Sequence, residues 1–177
     1  WVQGFSDSTG LVFLITTLCD VASIYGNHFN DFAMKRWHES VQNNFELLQG
    51  NKIIQKSFDL YENGFYDRET GEEGYFLTDK VCWNTADNKD CEMSGRVLGG
   101  CLDVLCNLVG TRYDKVKEFI QKYKTDGVVW VMESFSMNDA DITRSLWQLK
   151  EAGWFEKVKG FVFGRPCFYE EENGYSY

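Results

Sequence analysis

Proline is almost missing from this sequence: Pro166 is the only one in 177 residues. No proline-rich linker therefore marks a domain boundary. Histidine is nearly as scarce, with only His28 and His38, so there are few candidates for a general base or a nitrogen metal ligand. The six cysteines (Cys19, Cys82, Cys91, Cys101, Cys106 and Cys167) include no C-x-x-C pair and no zinc-like spacing. They read as reduced thiols, several of them buried, in a cytoplasmic protein. Positive charge is also short. Lys and Arg number 18 against 27 Asp and Glu, for a net charge of −9. Nucleic acid and anionic membranes both need basic patches, so neither is expected as a partner. No apolar run approaches the roughly 20 residues of a membrane span. Nothing in the spacing calls for a metal or an organic cofactor.

Apolar residues are plentiful: 44% of the chain, with six Trp, nine Tyr and 14 Phe. That suffices for one real core or two small domains. The first twenty residues organise the rest. They read as the end of a strand, a tight turn and then a helix. Gly4, Ser6 and Ser8 are small residues at alternate positions of the turn, and Leu11, Leu14, Ile15 and Leu18 follow at helical spacing. A serine at such a turn is exposed, with free helix N–H groups behind it, which is the geometry of a nucleophile elbow. The full elbow pattern has glycine two residues after the serine, where this chain has Ser8. The competing reading is a plain helix start with Ser6, Asp7 or Ser8 as N-cap.

Residues 21–30 read as a short strand entering a loop. Asp31 is expected to cap a helix carrying Met34, Trp37, Val41, Phe45 and Leu48, stopped by Gly50. His28 reads as a loop histidine bonded to backbone or a residue lining a site, and His38 forms no metal set with Asp31 and Glu39. Residues 51–80 alternate apolar runs with turn signals and read as hairpins. Trp83 is expected either to be buried or to stack on a substrate. Gly99 and Gly100 end a strand before a short helix closed by Gly110, and allow a substrate or another backbone to approach closely. They lack the Lys-Ser/Thr of a phosphate loop. A helix near residues 113–124 leads to the continuous apolar run 127–133, a strand covered on both faces. It ends in Glu133, which reads as a residue facing a site beyond the strand ends or as a solvated carboxylate. Asn138 or Asp139 caps a helix burying Ile142, Leu146, Trp147 and Leu149, and a strand over 158–164 follows. This β-α-β succession predicts a parallel, helix-covered sheet and an α/β fold.

Taken in order, Gly4-Phe5-Ser6-Asp7-Ser8-Thr9, Tyr25-Gly26, Gly95-x-x-x-Gly99-Gly100-x-Leu102, Gly110-Thr111, Glu133, Asp141-Ile142-Thr143-Arg144 and Phe163-Gly164-Arg165-Pro166 resemble the LD-carboxypeptidase family of serine peptidases. That family includes the microcin C self-immunity carboxypeptidases. The resemblance implies a Ser-Glu-His triad. Ser6 is the implied nucleophile, the backbone N–H of Asp7 half of the oxyanion hole, and Glu133 the carboxylate that orients the histidine. Gly99, Gly100 and Trp83 are candidates for substrate binding. The family's histidine follows the Gly-Arg-Pro strand, so the chain reads as an internal piece with its base beyond residue 177. The opening on Trp1 and the final Tyr-Glu-Glu-Glu-Asn-Gly-Tyr-Ser-Tyr fit that expectation. Where the family has Gly-Pro and then Asn, this chain has Gly26-Asn27 and Cys101.

The implied architecture is the C-terminal part of a nucleophile-elbow α/β domain followed by part of a second, mixed α/β domain. The expected division is 1–80, the elbow part with a connecting segment, and 81–177, carrying Glu133. The expected function is hydrolysis of an amide bond in a small peptide through an acyl-serine, at the L,D-bond of murein tetrapeptides. A microcin C-type peptidyl-nucleotide hydrolase is the alternative. A chain naturally this short would instead be a non-catalytic peptide-binding module. A small peptide is the expected partner, and a homodimer is implied by the family.

Overall fold

The computed structural model describes residues 1–51 and 53–169; the acidic stretch from residue 170 onward lies outside the described residues. Helices alternate with parallel strands, which bears out the α/β class. The chain forms two compact units: residues 26–91 together with Trp1, and residues 2–25 together with Glu92 onward. Packing within the chain thus joins the elbow segment to the second half.

In the unit of residues 2–25 and 92–169, strand β1 (Gln3–Gly4) leads through a 3-10 turn over Ser6–Ser8 into helix α1 (Thr9–Cys19). Strand β2 (Ile24–Tyr25) returns parallel to β1. Strand β5 (Arg96–Cys101), helix α3 (Leu102–Leu108), helix α4 (Val116–Lys122), strand β6 (Val128–Glu133), helix α5 (Asp139–Glu151) and strand β7 (Val158–Phe163) complete it. Strands β5, β6 and β7 form a parallel sheet with β6 in the centre. The apolar run that predicted a covered strand is this central one, and Val128, Trp130 and Met132 are essentially inaccessible. Trp130 stacks with Trp154, their ring centres 5.9 Å apart, and Phe13 of α1 stacks on Trp154 at 5.4 Å. These rings, with Leu98, Leu102, Leu105, Val116, Ile120 and Leu149, make the core.

Two expected faces are rotated. Helix α1 buries Thr9, Val12, Phe13 and Thr17, while Leu11 and Leu18 are exposed. The helix is apolar nearly all round, and two threonines hide its true inner face. Thr17 satisfies its hydroxyl on the Phe13 carbonyl at 3.1 Å, and Thr9 accepts the Cys101 N–H at 2.9 Å, which lets both be buried at little cost. Trp147, expected on the inner face of α5, is exposed, whereas Leu149 is fully buried. Asn138 is the cap of α5, accepting the Asp141 N–H at 2.9 Å.

In the unit of residues 26–91, a 3-10 turn over Phe29–Ala33 precedes helix α2 (Glu39–Leu48), and strands β3 (Leu60–Tyr61) and β4 (Asp79–Lys80) pair antiparallel. The helix expected from Asp31 starts at Glu39 instead. Asp31 closes the 3-10 turn by accepting the His28 N–H at 2.8 Å, and His38 caps α2 by accepting the Ser40 N–H at 3.2 Å. Gly50, in the left-handed region at φ 87°, follows the helix end as expected.

Candidate active site

The turn between β1 and α1 is strained at one residue. Phe5 is extended, and Ser6 follows with φ 54°, in the left-handed region that a residue with a Cβ rarely enters. Such a conformation costs on the order of 1–3 kcal/mol and persists only where its surroundings hold it. The chain then winds through the 3-10 turn into α1. Ser8, formally the cap of α1, makes no side-chain capping bond, and neither does Phe5 at the start of the turn. The plain N-cap reading therefore lacks its defining bond, and the strained residue is the serine that the elbow reading singled out.

Tyr25, the last residue of β2, holds this turn. The Ser6 N–H donates to the Tyr25 hydroxyl at 2.9 Å, and that hydroxyl donates to Oε1 of Glu133 at 2.5 Å. The Thr9 side chain hydrogen-bonds the same hydroxyl. Burial, and then the bond to the Glu133 carboxylate, push the Tyr25 hydroxyl well above the usual tyrosine range. It is thus a neutral donor to Glu133 at any ordinary pH. Parallel pairing explains how these groups meet. Tyr25 and Glu133 both end parallel strands, and Ser6 follows β1, the strand paired with β2. The sequence marked Ser6 and Glu133 separately but gave no role to Tyr25. Tyr25 entered the sequence reading only within the Tyr25-Gly26 motif.

Thiols and backbone lie near Glu133. Cys101 is its register partner across β5 and β6. Burial first, then the negative charges of Glu133 and Asp103, push the Cys101 thiol up to about 12. Burial and the Glu133 charge also raise Cys167. The segment after β7 runs beside the end of β6: the Gly164 N–H donates to the Met132 carbonyl at 2.7 Å and the Cys167 N–H to the Ser134 carbonyl at 3.2 Å. All six cysteines are free thiols, with Cys19, Cys82 and Cys91 exposed and Cys101 buried.

Gly99 and Gly100 are needed for packing. A Cβ on Gly99 would lie 1.6 Å from the Val131 carbonyl oxygen, and one on Gly100 would lie 2.7 Å from Cγ2 of Thr9. The close approach foreseen for this pair is made by a neighbouring strand and by the helix behind the elbow. Trp83 belongs to the other unit. It is not buried but 61% exposed, and its indole N–H donates to Ser57 Oγ at 2.8 Å, so one polar contact fixes it while its ring stays in solvent. His28 and His38 also lie in that unit and act as helix-start residues. Among the described residues, no group of three or more His, Cys, Asp or Glu is arranged to hold a metal ion. No described helix is long and apolar enough to cross a membrane.

Residues 94–176 match the LD-carboxypeptidase C-terminal domain family. Among solved structures, the chain is similar to an MccF-like protein from Streptococcus pneumoniae in complex with AMP. The two share 26% identity, 93% of this chain covers 52% of that one, and the TM-score is 0.59. It is also similar to a muramoyltetrapeptide carboxypeptidase from Oxalobacter formigenes (21% identity, 98% of this chain on 49% of that one, TM-score 0.61). An MccF-like protein from Bacillus anthracis str. Ames gives 24% identity, 93% on 48% and TM-score 0.66. At the identities of the last two, the likeness shows the fold. No protein of curated function matches the chain. The chain spans about half the length of these structures. The matched domain is that of the family whose ordered motifs its sequence resembles.

Proposed function

We propose, with that domain match as the premise, that the full-length protein is a serine carboxypeptidase of the LD-carboxypeptidase family acting on a small peptide. The observation that carries this reading is the strained Ser6 at the head of α1, joined through one tyrosine hydroxyl to the carboxylate of Glu133. Ser6 Oγ attacks the carbonyl carbon of the scissile amide and gives its proton to a histidine base, which in the family pattern lies beyond residue 177. The oxyanion is held by the Asp7 N–H, at the position after the nucleophile. Glu133 fixes the tautomer of the base and stabilises it when it is charged. The amine leaves with that proton, and water hydrolyses the acyl-serine by the reverse sequence. Trp83, with its ring in solvent, is proposed as a stacking surface, and Gly99 and Gly100 as part of the substrate-facing wall.

The substrate proposed first is the L,D-bond of a murein tetrapeptide, with release of D-alanine in the cytoplasm. A peptidyl-nucleotide is the second reading, favoured by the S. pneumoniae relative that was solved with AMP. A homodimer is proposed from the family. The test is the full-length protein and its Ser6→Ala variant, each offered a murein tetrapeptide and an aminoacyl nucleotide analogue. Removing a catalytic serine costs about 10³-fold or more in turnover, with the circular dichroism spectrum unchanged. Turnover retained by Ser6→Ala overturns the mechanism. Tight binding by both proteins with no turnover by either supports a binding module instead.

A further inference from the structure

The Tyr25 hydroxyl is fully used. It accepts from the Ser6 N–H at 2.9 Å and from the Thr9 side chain, and it donates to Oε1 of Glu133 at 2.5 Å. A phenol has one proton and two lone pairs, so these partners exhaust it. Thr9 is itself fully buried and accepts the Cys101 N–H at 2.9 Å. A single bonded path thus runs from the end of β5, through the start of α1, to the strained turn and the end of β6. We infer that Tyr25 is a positioning residue of the site: its hydroxyl clamps the backbone of the Ser6 turn and fixes the Glu133 carboxylate by one oxygen. This rests on the serine-peptidase reading above and deepens it.

Two consequences follow from the bonding. The Ser6 N–H is committed to Tyr25, so it is not the oxyanion donor, and that role falls to the next residue. Tyr25 holds Oε1 of Glu133, and a carboxylate accepts at both oxygens, so Oε2 is the acceptor for a second donor, the N–H of the base. A carboxylate accepts at both oxygens, and a bond fixed at one restricts the rotation of the other. A serine held at φ 54° without this clamp would relax, and an error of about 1 Å in a nucleophile costs on the order of 10²-fold in rate.

Tyr25→Phe keeps the ring and removes only the hydroxyl. In the full-length protein, with the substrate that the wild type turns over, kcat is expected to fall at least about tenfold while KM stays within about twofold, because the clamp acts on the reacting groups and not on substrate contacts. The rate of Ser6 labelling by a fluorophosphonate is expected to fall in parallel. Ser6→Ala is measured alongside. If Ser6→Ala is inactive while Tyr25→Phe keeps wild-type kcat and labelling rate, the Tyr25 inference is overturned and the serine reading stands. If Ser6→Ala stays active, the serine reading itself fails. If Tyr25→Phe does not fold, a crystal structure of the full-length wild type decides. A Tyr25 hydroxyl within about 3.2 Å of both Ser6 N and a Glu133 oxygen, the range of a hydrogen bond, supports the clamp. A hydroxyl farther than that from either overturns it.

Discussion

The two units of this chain are held by different means. The one built from residues 2–25 and 92–169 has an apolar core of stacked Trp130, Trp154 and Phe13 under a register-locked parallel sheet. The one built from residues 26–91 buries only Met34, Val41 and Asn44 among its described residues. It is joined instead by edge contacts among Phe32, Trp37 and Phe45 and by the Arg68–Glu62 pair, whose carboxylate also accepts the Phe76 N–H at 2.7 Å. The strained serine sits on the first kind of unit. A packed core can hold a residue at an unfavourable φ, because the strain is outweighed by contacts that loosen together or not at all.

The contrast is tested most strongly by removing a ring. Trp154→Ala is expected to destabilise the sheet unit by about 3–5 kcal/mol, while Val41→Ala in the other costs about 1–2 kcal/mol. Urea unfolding followed by circular dichroism measures both, and equal losses would erase the distinction. Glycines give the next effect. Gly99→Ala drives a Cβ into the Val131 carbonyl at 1.6 Å and is expected to cost about 3 kcal/mol or more. At Gly50 nothing lies within 4 Å, so Gly50→Ala carries only the left-handed backbone cost of about 1–2 kcal/mol. The same urea unfolding decides between them.

Alkaline pH gives a smaller difference. Burial and the Glu133 bond raise the Tyr25 hydroxyl above its ordinary value. A raised acid contributes stability that is whole below its unfolded pKa of about 10 and is lost as pH rises through the folded value. The melting temperature of the wild type should therefore carry no Tyr25 contribution to its slope between pH 7 and 9 and should fall above pH 10. Tyr25→Phe should show a shallower alkaline fall. An alkaline slope identical in the two proteins would show that the bond adds nothing to stability. Last, the thiols should report the units without changing stability. Exposed Cys82 and Cys91 should alkylate readily at pH 8, while Cys101, buried and raised to about 12, resists. Mass mapping after iodoacetamide treatment checks this, and early modification of Cys101 would mean that the sheet edge is open.

The parts of this arrangement visible in the sequence were those with a backbone signature. Small residues around Ser6 marked the turn, and a continuous apolar run ending in Glu133 marked the central strand. Face assignment was less legible. Thr9 and Thr17 look polar, yet they line the inner face of α1 because each finds a partner there. The start of α2 shifted because His38, which no pattern of apolar residues reveals, supplies the cap. The link between Ser6 and Glu133 was hidden because it passes through the hydroxyl of Tyr25, 108 residues from Glu133 in the chain, and periodicity carries no information about such a contact.

The most direct test of the central claim is to treat the full-length protein with a fluorophosphonate and find the modified residue by peptide mass mapping. The account predicts one stoichiometric adduct on Ser6, lost in Ser6→Ala. An adduct on another serine, or none from a preparation that turns over substrate, would contradict it.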